Sequence, residues 1–366
     1  MDRLKKRDEA LDAVKGFAIL IVMLGHCIVL NGLADPYFYD AIAAVQMPLF
    51  MTVSGFVTGR KPLSLTRKPD GKERLMQFGR RTVSYLTPFF AWLFLTHLTD
   101  PVKELKLQLF ALDRGLWFLM TLWIITLVTT VASYLADWFA YWWKGKRLKK
   151  GALRFLVFCM VVGICYLGFV VQARSGNLFL SPSLTVKYLP FYVVGYLWAL
   201  YMPSALRWLK GAAQKRMGAA AADRIGKVSA VVIWILAGAA FVYLVAAFDM
   251  VVASDAGTLT AQMAASFLGS FFCFYGVYHF AAGKLKKGLS FIGQYTLEIY
   301  VLHFRFARLL GIGDKNLQVY TPEAVGWVIA AFIVMSVLTA LCIFMIKKIW
   351  VLDLLLFGRR RKKMPK

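Results

Sequence analysis

Residues 12–31 read DAVKGFAILIVMLGHCIVLN. The run is apolar throughout except for Asp12, Lys15, His26 and the terminal Asn31. About 20 such residues make a helix long enough to cross the roughly 30 Å hydrocarbon core of a bilayer. The stretch therefore predicts a transmembrane helix that carries charged and titratable groups.

Nine further apolar runs extend this reading along the chain: 40–59, 82–99, 115–138, 153–172, 187–202, 228–248, 259–282, 288–306 and 323–346. The run at 187–202 is short and contains Pro190. With 60% hydrophobic and 17% charged residues and a mean hydropathy of +0.62, a disordered chain and a soluble globular enzyme are both excluded. Barrel strands would be about 10 residues long with alternating polarity. The expected fold class is all-α, a polytopic transmembrane helical bundle of about ten spans. A single domain over 1–346 would be followed by a basic cytoplasmic tail over 347–366. No internal repeat is evident. No cleavable leader is expected, because no small-residue cleavage site follows the basic start. The five Cys lie inside apolar runs and read as small core residues.

The formal net charge is +25, which in a soluble chain would point to nucleic acid. Here the distribution argues for topology. Of the 44 Lys and Arg, 35 fall on one alternate set of loops and 8 on the other, with Lys15 inside the first span. That asymmetry predicts both termini and the basic loops in the cytoplasm. The basic loops would also attract anionic membrane lipids, and no nucleic-acid partner is expected.

Ionisable groups at membrane depth are costly and usually face a cavity or a partner. Lys15 and His26 are 11 residues apart, so they share a helix face about 16 Å apart along the axis. Such a stripe suits an extended ligand charged at one end and reacting at the other. The same residues are also compatible with a snorkelling lysine and a packing histidine. On the ninth span, taken as one continuous helix, Glu298 and Arg305 are seven apart and share a face. His303 lies about 21 Å along that helix from Leu289, at a depth comparable to His26. His97 and His279 lie near span ends and read as packing residues.

Five segments, in order, resemble the integral-membrane acyltransferase-3 family: DAVKGFAILIVMLGH (12–26), QMPLFMTVSGFVTG (46–59), RRTVSYLTPFF (80–90), LWFLMTLW (116–123) and LSFIGQYTLEIYVLHF (289–304). The nearest flavour is the sugar O-acetyltransferase, fucose 4-O-acetylase-like group. Lys15 stands where the family's first-span Arg is usual, and Arg80-Arg81 stand in place of Arg-x-x-Arg. Many relatives carry a soluble esterase-like domain, for which ten spans leave no room.

The resemblance implies acyl transfer from a coenzyme A thioester, with acetyl-CoA as donor and no metal. The acceptor would be a hydroxyl of an extracytoplasmic or lipid-linked glycan. The place would be the bacterial inner (plasma) membrane. His26 would act as general base or transient acyl carrier, with Glu298 and His303 as further catalytic candidates. Lys15, Arg81, Arg80 and Arg60, the last beside Lys61, would bind the donor phosphates. Trp117 and Arg305 are acceptor-site candidates, although an aromatic belt or interface anchor would place the same residues there. A succinyl or other short-acyl transferase on this scaffold, a secondary transporter or flippase of lipid-linked sugars, and an inactive relative serving as an assembly subunit are the alternatives. The oligomeric state is not legible from the residues.

Overall fold

The computed structural model describes residues 7–35, 37–60, 68–110, 115–315 and 317–358. Lys61 and the basic residues 359–366 of the expected tail lie outside them. The described residues form helices and no strand. In order these are α1 (Glu9–Val29), α2 (Phe38–Gly59), α3 (Gly71–Thr96), α4 (Pro101–Phe110), α5 (Trp117–Trp142), α6 (Arg147–Arg174), α7 (Pro182–Met217), α8 (Ala219–Ala247), α9 (Ala256–Phe280), α10 (Gly283–Ile292), α11 (Thr296–Leu302), α12 (Pro322–Lys348) and α13 (Trp350–Phe357). A 3-10 turn, His303–Phe306, continues α11.

Eight of the described helices are long and apolar enough to cross a membrane: α1, α2, α5 to α9 and α12. The third expected span is helical but begins with the polar turns GKERLMQFGRR of α3. The ninth differs more. It is not one helix: α10 stops at Ile292, residues 293–295 turn, and α11 runs only seven residues before the 3-10 turn. The helical spacing assumed for Glu298 and Arg305 therefore does not apply. Glu298 is fully buried and Arg305 is exposed.

Contacts divide the chain into two compact units, residues 1–60 with 194–343, and 61–193 with 344–366. In the first unit α1 is the central helix. Asp8 caps its N-terminus by accepting from the Leu11 amide at 3.1 Å, one of the donors that a helix start leaves open. Its apolar residues point all round the axis, as a helix with neighbours on every side requires. Leu11, Val14 and Ala18 join Val45, Leu49, Val53 and Phe274 in one core, with α2, α9, α10 and α11 as neighbours.

Two helix crossings in this unit have no side chain between the backbones. A Cβ on Gly16 would stand 2.0 Å from the Leu289 carbonyl oxygen, and one on Gly293 would stand 1.8 Å from that of Asp12. A second reciprocal pair joins α2 and α7. Cβ atoms on Gly195 and Gly59 would stand 2.0 and 2.2 Å from the carbonyl oxygens of Thr52 and Tyr196.

In the second unit, polar groups staple the helices. Arg154 of α6, fully buried, pairs with Asp137 of α5 at 2.5 Å, and Arg74 of α3 pairs with the same carboxylate. Trp92 Nε1 donates to the Leu356 carbonyl at 2.9 Å, holding α13 on α3. Residues 350–357, expected to belong to a basic tail, thus form an apolar packed helix.

Replacing Gly16 or Gly293 by Ala should destabilise the protein by about 1–3 kcal/mol or more, because backbone must move. Gly226→Ala, with nothing within 4 Å of its added Cβ, should be neutral or stabilising in α8. Thermal unfolding in detergent separates the two classes.

Candidate active site

Four parts of the first unit bring the site together. The glycine crossing pins the inner end of α1 to α10. At the outer end, the buried Asn31 amide donates to the carbonyls of Cys27 at 2.8 Å and Ala307 at 3.0 Å. Arg308 Nε donates to the Leu30 carbonyl at 3.0 Å. Between these two clamps α1 faces α11 and the 3-10 turn. There His26 Nδ1 lies 3.0 Å from His303 Nε2.

The second imidazole is held from behind. His303 caps α11, where the last carbonyls of a helix lack partners within it. Its Nδ1–H donates back one turn to the Ile299 carbonyl at 2.8 Å. His303 is 1% exposed, whereas His26 is only half-buried. Phe304, itself exposed, sets its ring edge-on to His26 with centroids 5.4 Å apart. Glu298 is buried in the first turn of α11, an end of a helix that favours negative charge.

The inner end of α1 is an ion cluster. Lys15 pairs with the buried Asp12 at 2.5 Å, and Arg7 pairs with the same carboxylate. Arg7 also donates to Gln294 at 3.2 Å. Asp8 accepts from Arg60 at 2.8 Å and from the Tyr278 hydroxyl at 3.3 Å. Three cations, Arg7, Lys15 and Arg60, thus meet the carboxylates of Asp8 and Asp12 at this end. The Asp12–Lys15 spacing of three residues is itself a helix-face pair visible in the sequence. Arg7, Asp8, Gln294 and Tyr278 escape such a reading, because their partners lie up to 287 positions away.

The other sequence candidates are elsewhere. Arg305 shares the 3-10 turn with His303 but is exposed. Arg80, Arg81 and Trp117 belong to the second unit. Arg81 donates to the Tyr192 hydroxyl at 3.4 Å, exposed Arg80 lies against Met76, and Trp117 stacks on Tyr188 with centroids 5.4 Å apart. Outside the spans, Asp35 closes the outer loop by accepting from the Tyr320 hydroxyl and from the amides of Tyr37, Phe38 and Tyr39. Burial alone would raise its carboxyl, but these four donors together hold it below the usual aspartate range.

Chemically, the paired imidazoles can take and hand on a proton, and the cluster at the inner end can attract an anion. A family model described as an acyltransferase domain matches residues 8–347. The nodulation protein NolL of Sinorhizobium fredii (strain NBRC 101917 / NGR234) is 24% identical over 212 residues, covering 53% of this chain and 49% of that protein. The match thus spans about half the length of that relative. No solved structure matches.

Asn31→Ala removes two buried hydrogen bonds and leaves the Ala307 carbonyl without this donor. It should cost about 1–3 kcal/mol, read as a lower unfolding temperature in detergent, while Arg308→Ala at the exposed rim should cost less.

Proposed function

The chain belongs to the integral-membrane acyltransferase-3 family and is a multi-pass membrane acyltransferase, and from that premise we propose that it moves an acetyl group from cytoplasmic acetyl-CoA to a hydroxyl of an extracytoplasmic or lipid-linked glycan, with His26 as general base. The observation that carries this reading is the contact between His26 and His303. A hydroxyl is a poor nucleophile until its proton is removed, and a neutral imidazole is suited to that task. As the hydroxyl oxygen bonds to the acetyl carbon, His26 takes the proton. The C–S bond breaks, and the proton passes to the coenzyme A thiolate.

The donor would enter from the side of the basic loops. Its phosphates would meet the cations Arg7, Lys15 and Arg60 at the inner end of α1. Its pantetheine arm would rise about 16 Å along α1 to His26. Glu298 would balance the charge that develops on the imidazole pair. Arg305 and the exposed Phe304 are the acceptor-side residues of this reading. The protein would sit in the bacterial inner membrane with both termini inside.

Two outcomes are expected in proteoliposomes given radiolabelled acetyl-CoA and isolated envelope glycan. His26→Ala should lose about 10²–10⁴-fold in turnover while still binding coenzyme A. Transfer close to wild type would remove His26 from the chemistry. Lys15→Ala should raise the KM for acetyl-CoA with little change in kcat, and Lys15→Arg should be milder than Lys15→Gln because it keeps the charge. Mass spectrometry of glycans from cells with and without the protein reads the group transferred. Loss of acetyl units supports the proposal, whereas loss of succinyl units, or no covalent change, contradicts it.

A further inference from the structure

We propose that His303 is a positioning residue that fixes the tautomer of His26, leaving Nε2 of His26 as the nitrogen with the free lone pair. The inference starts from a group that can only accept. The Ile299 carbonyl lies 2.8 Å from His303 Nδ1, so that nitrogen carries a hydrogen. The ring is 1% exposed and forms no ion pair with a carboxylate among the described residues, so nothing there stabilises a second proton. His303 is therefore neutral, and its Nε2 holds a lone pair. That lone pair faces His26 Nδ1 at 3.0 Å. Two ring nitrogens attract each other at this distance only when one of them carries a hydrogen. His26 Nδ1 is accordingly the donor.

The neutral His26 then has its remaining lone pair on Nε2. This atom points away from the buried partner, on the half-buried ring that exposed Phe304 flanks. If the acyl-transfer reading holds, Nε2 is the atom that takes the hydroxyl proton. Proton uptake makes His26 an imidazolium whose Nδ1–H bond to His303 becomes charge-assisted and stronger. His303 thus acts through His26 and touches neither substrate. It fills the place that a third, orienting group holds behind a catalytic base.

The test uses the full-length chain in lipid nanodiscs with nitrogen-15 histidine. Only four histidines are present, so subtracting the His26→Ala spectrum assigns the ring. The expected spectrum shows His26 protonated at Nδ1 and bare at Nε2. His303→Gln, whose amide oxygen can accept from His26 Nδ1, should keep this tautomer and hold kcat within about threefold. His303→Leu removes the acceptor. It should mix the tautomers and lower kcat at least about tenfold, short of the ~10⁴-fold that a wrong tautomer costs a serine protease, with the KM for acetyl-CoA unchanged. A wild-type His26 protonated at Nε2 overturns the proposal. So does a His303→Leu variant that keeps both tautomer and kcat, or a His303→Gln variant that keeps the tautomer but is inactive. The spectrum needs no substrate. If His26→Ala still transfers acetyl groups, the acyl-transfer role of His26 fails while the tautomer assignment stands.

Discussion

The contact between Gly16 and Gly293 is the constraint on which the first unit depends. Helices normally pack 8–10 Å apart, spaced by their side chains. Here α10 meets α1 backbone to backbone, and a single added carbon on either helix would lie within 2.0 Å of a carbonyl oxygen. A crossing that close leaves little freedom in tilt or register. Asn31 repeats the constraint at the far end of α1 with two hydrogen bonds. With both ends set by backbone, the distance between the two imidazoles follows from main-chain geometry. It does not rely on flexible side chains finding one another.

The same logic explains why charged residues are tolerated in so apolar a chain. A charge in a bilayer needs a partner. Asp12 has two, Lys15 and Arg7. Arg154, among the largest fully buried side chains, has Asp137. Removing one member of such a group would strand the other, which is usually far costlier than never having placed the pair. These clusters hold helices in register more than they add net stability. Asp137, for example, ties α3 and α6 to α5 through one carboxylate.

Much of this was legible in the residues. Hydrophobic length located the helices, because the bilayer sets one threshold for all of them. Counting along two helices that run in the same direction put His26 and His303 at similar depth. Their direct contact could not be read, since it depends on packing between segments 277 residues apart. The break in the ninth span is not visible in its hydropathy. Gly293 was read as one more residue of an apolar helix. Its need for close approach to Asp12, and the stop it gives α10, appear only once the neighbour is present. Arg154, a cation inside the run 153–172, is explained only by its partner Asp137 at the end of the preceding apolar run. Proline at 190 suggests a weak span, yet α7, 36 residues long, runs through it unbroken.

The discontinuous ninth span bears on how the protein is made. α10 carries Lys284, Lys286 and Lys287 and is ten residues long, and α11 is shorter still, so neither has the apolar length to partition into lipid alone. Their docking surface is α1, which leaves the ribosome well before them. At roughly 5–20 residues per second, the 277 residues from His26 to His303 take about 14–55 seconds to synthesise. Through that interval the glycine face of α1, with its aspartate, lysine and histidine, waits in the membrane without the helix that covers it. The imidazole pair thus forms only after His303 has been added, and a chain truncated before residue 303 would carry α1 to α11 without the pair.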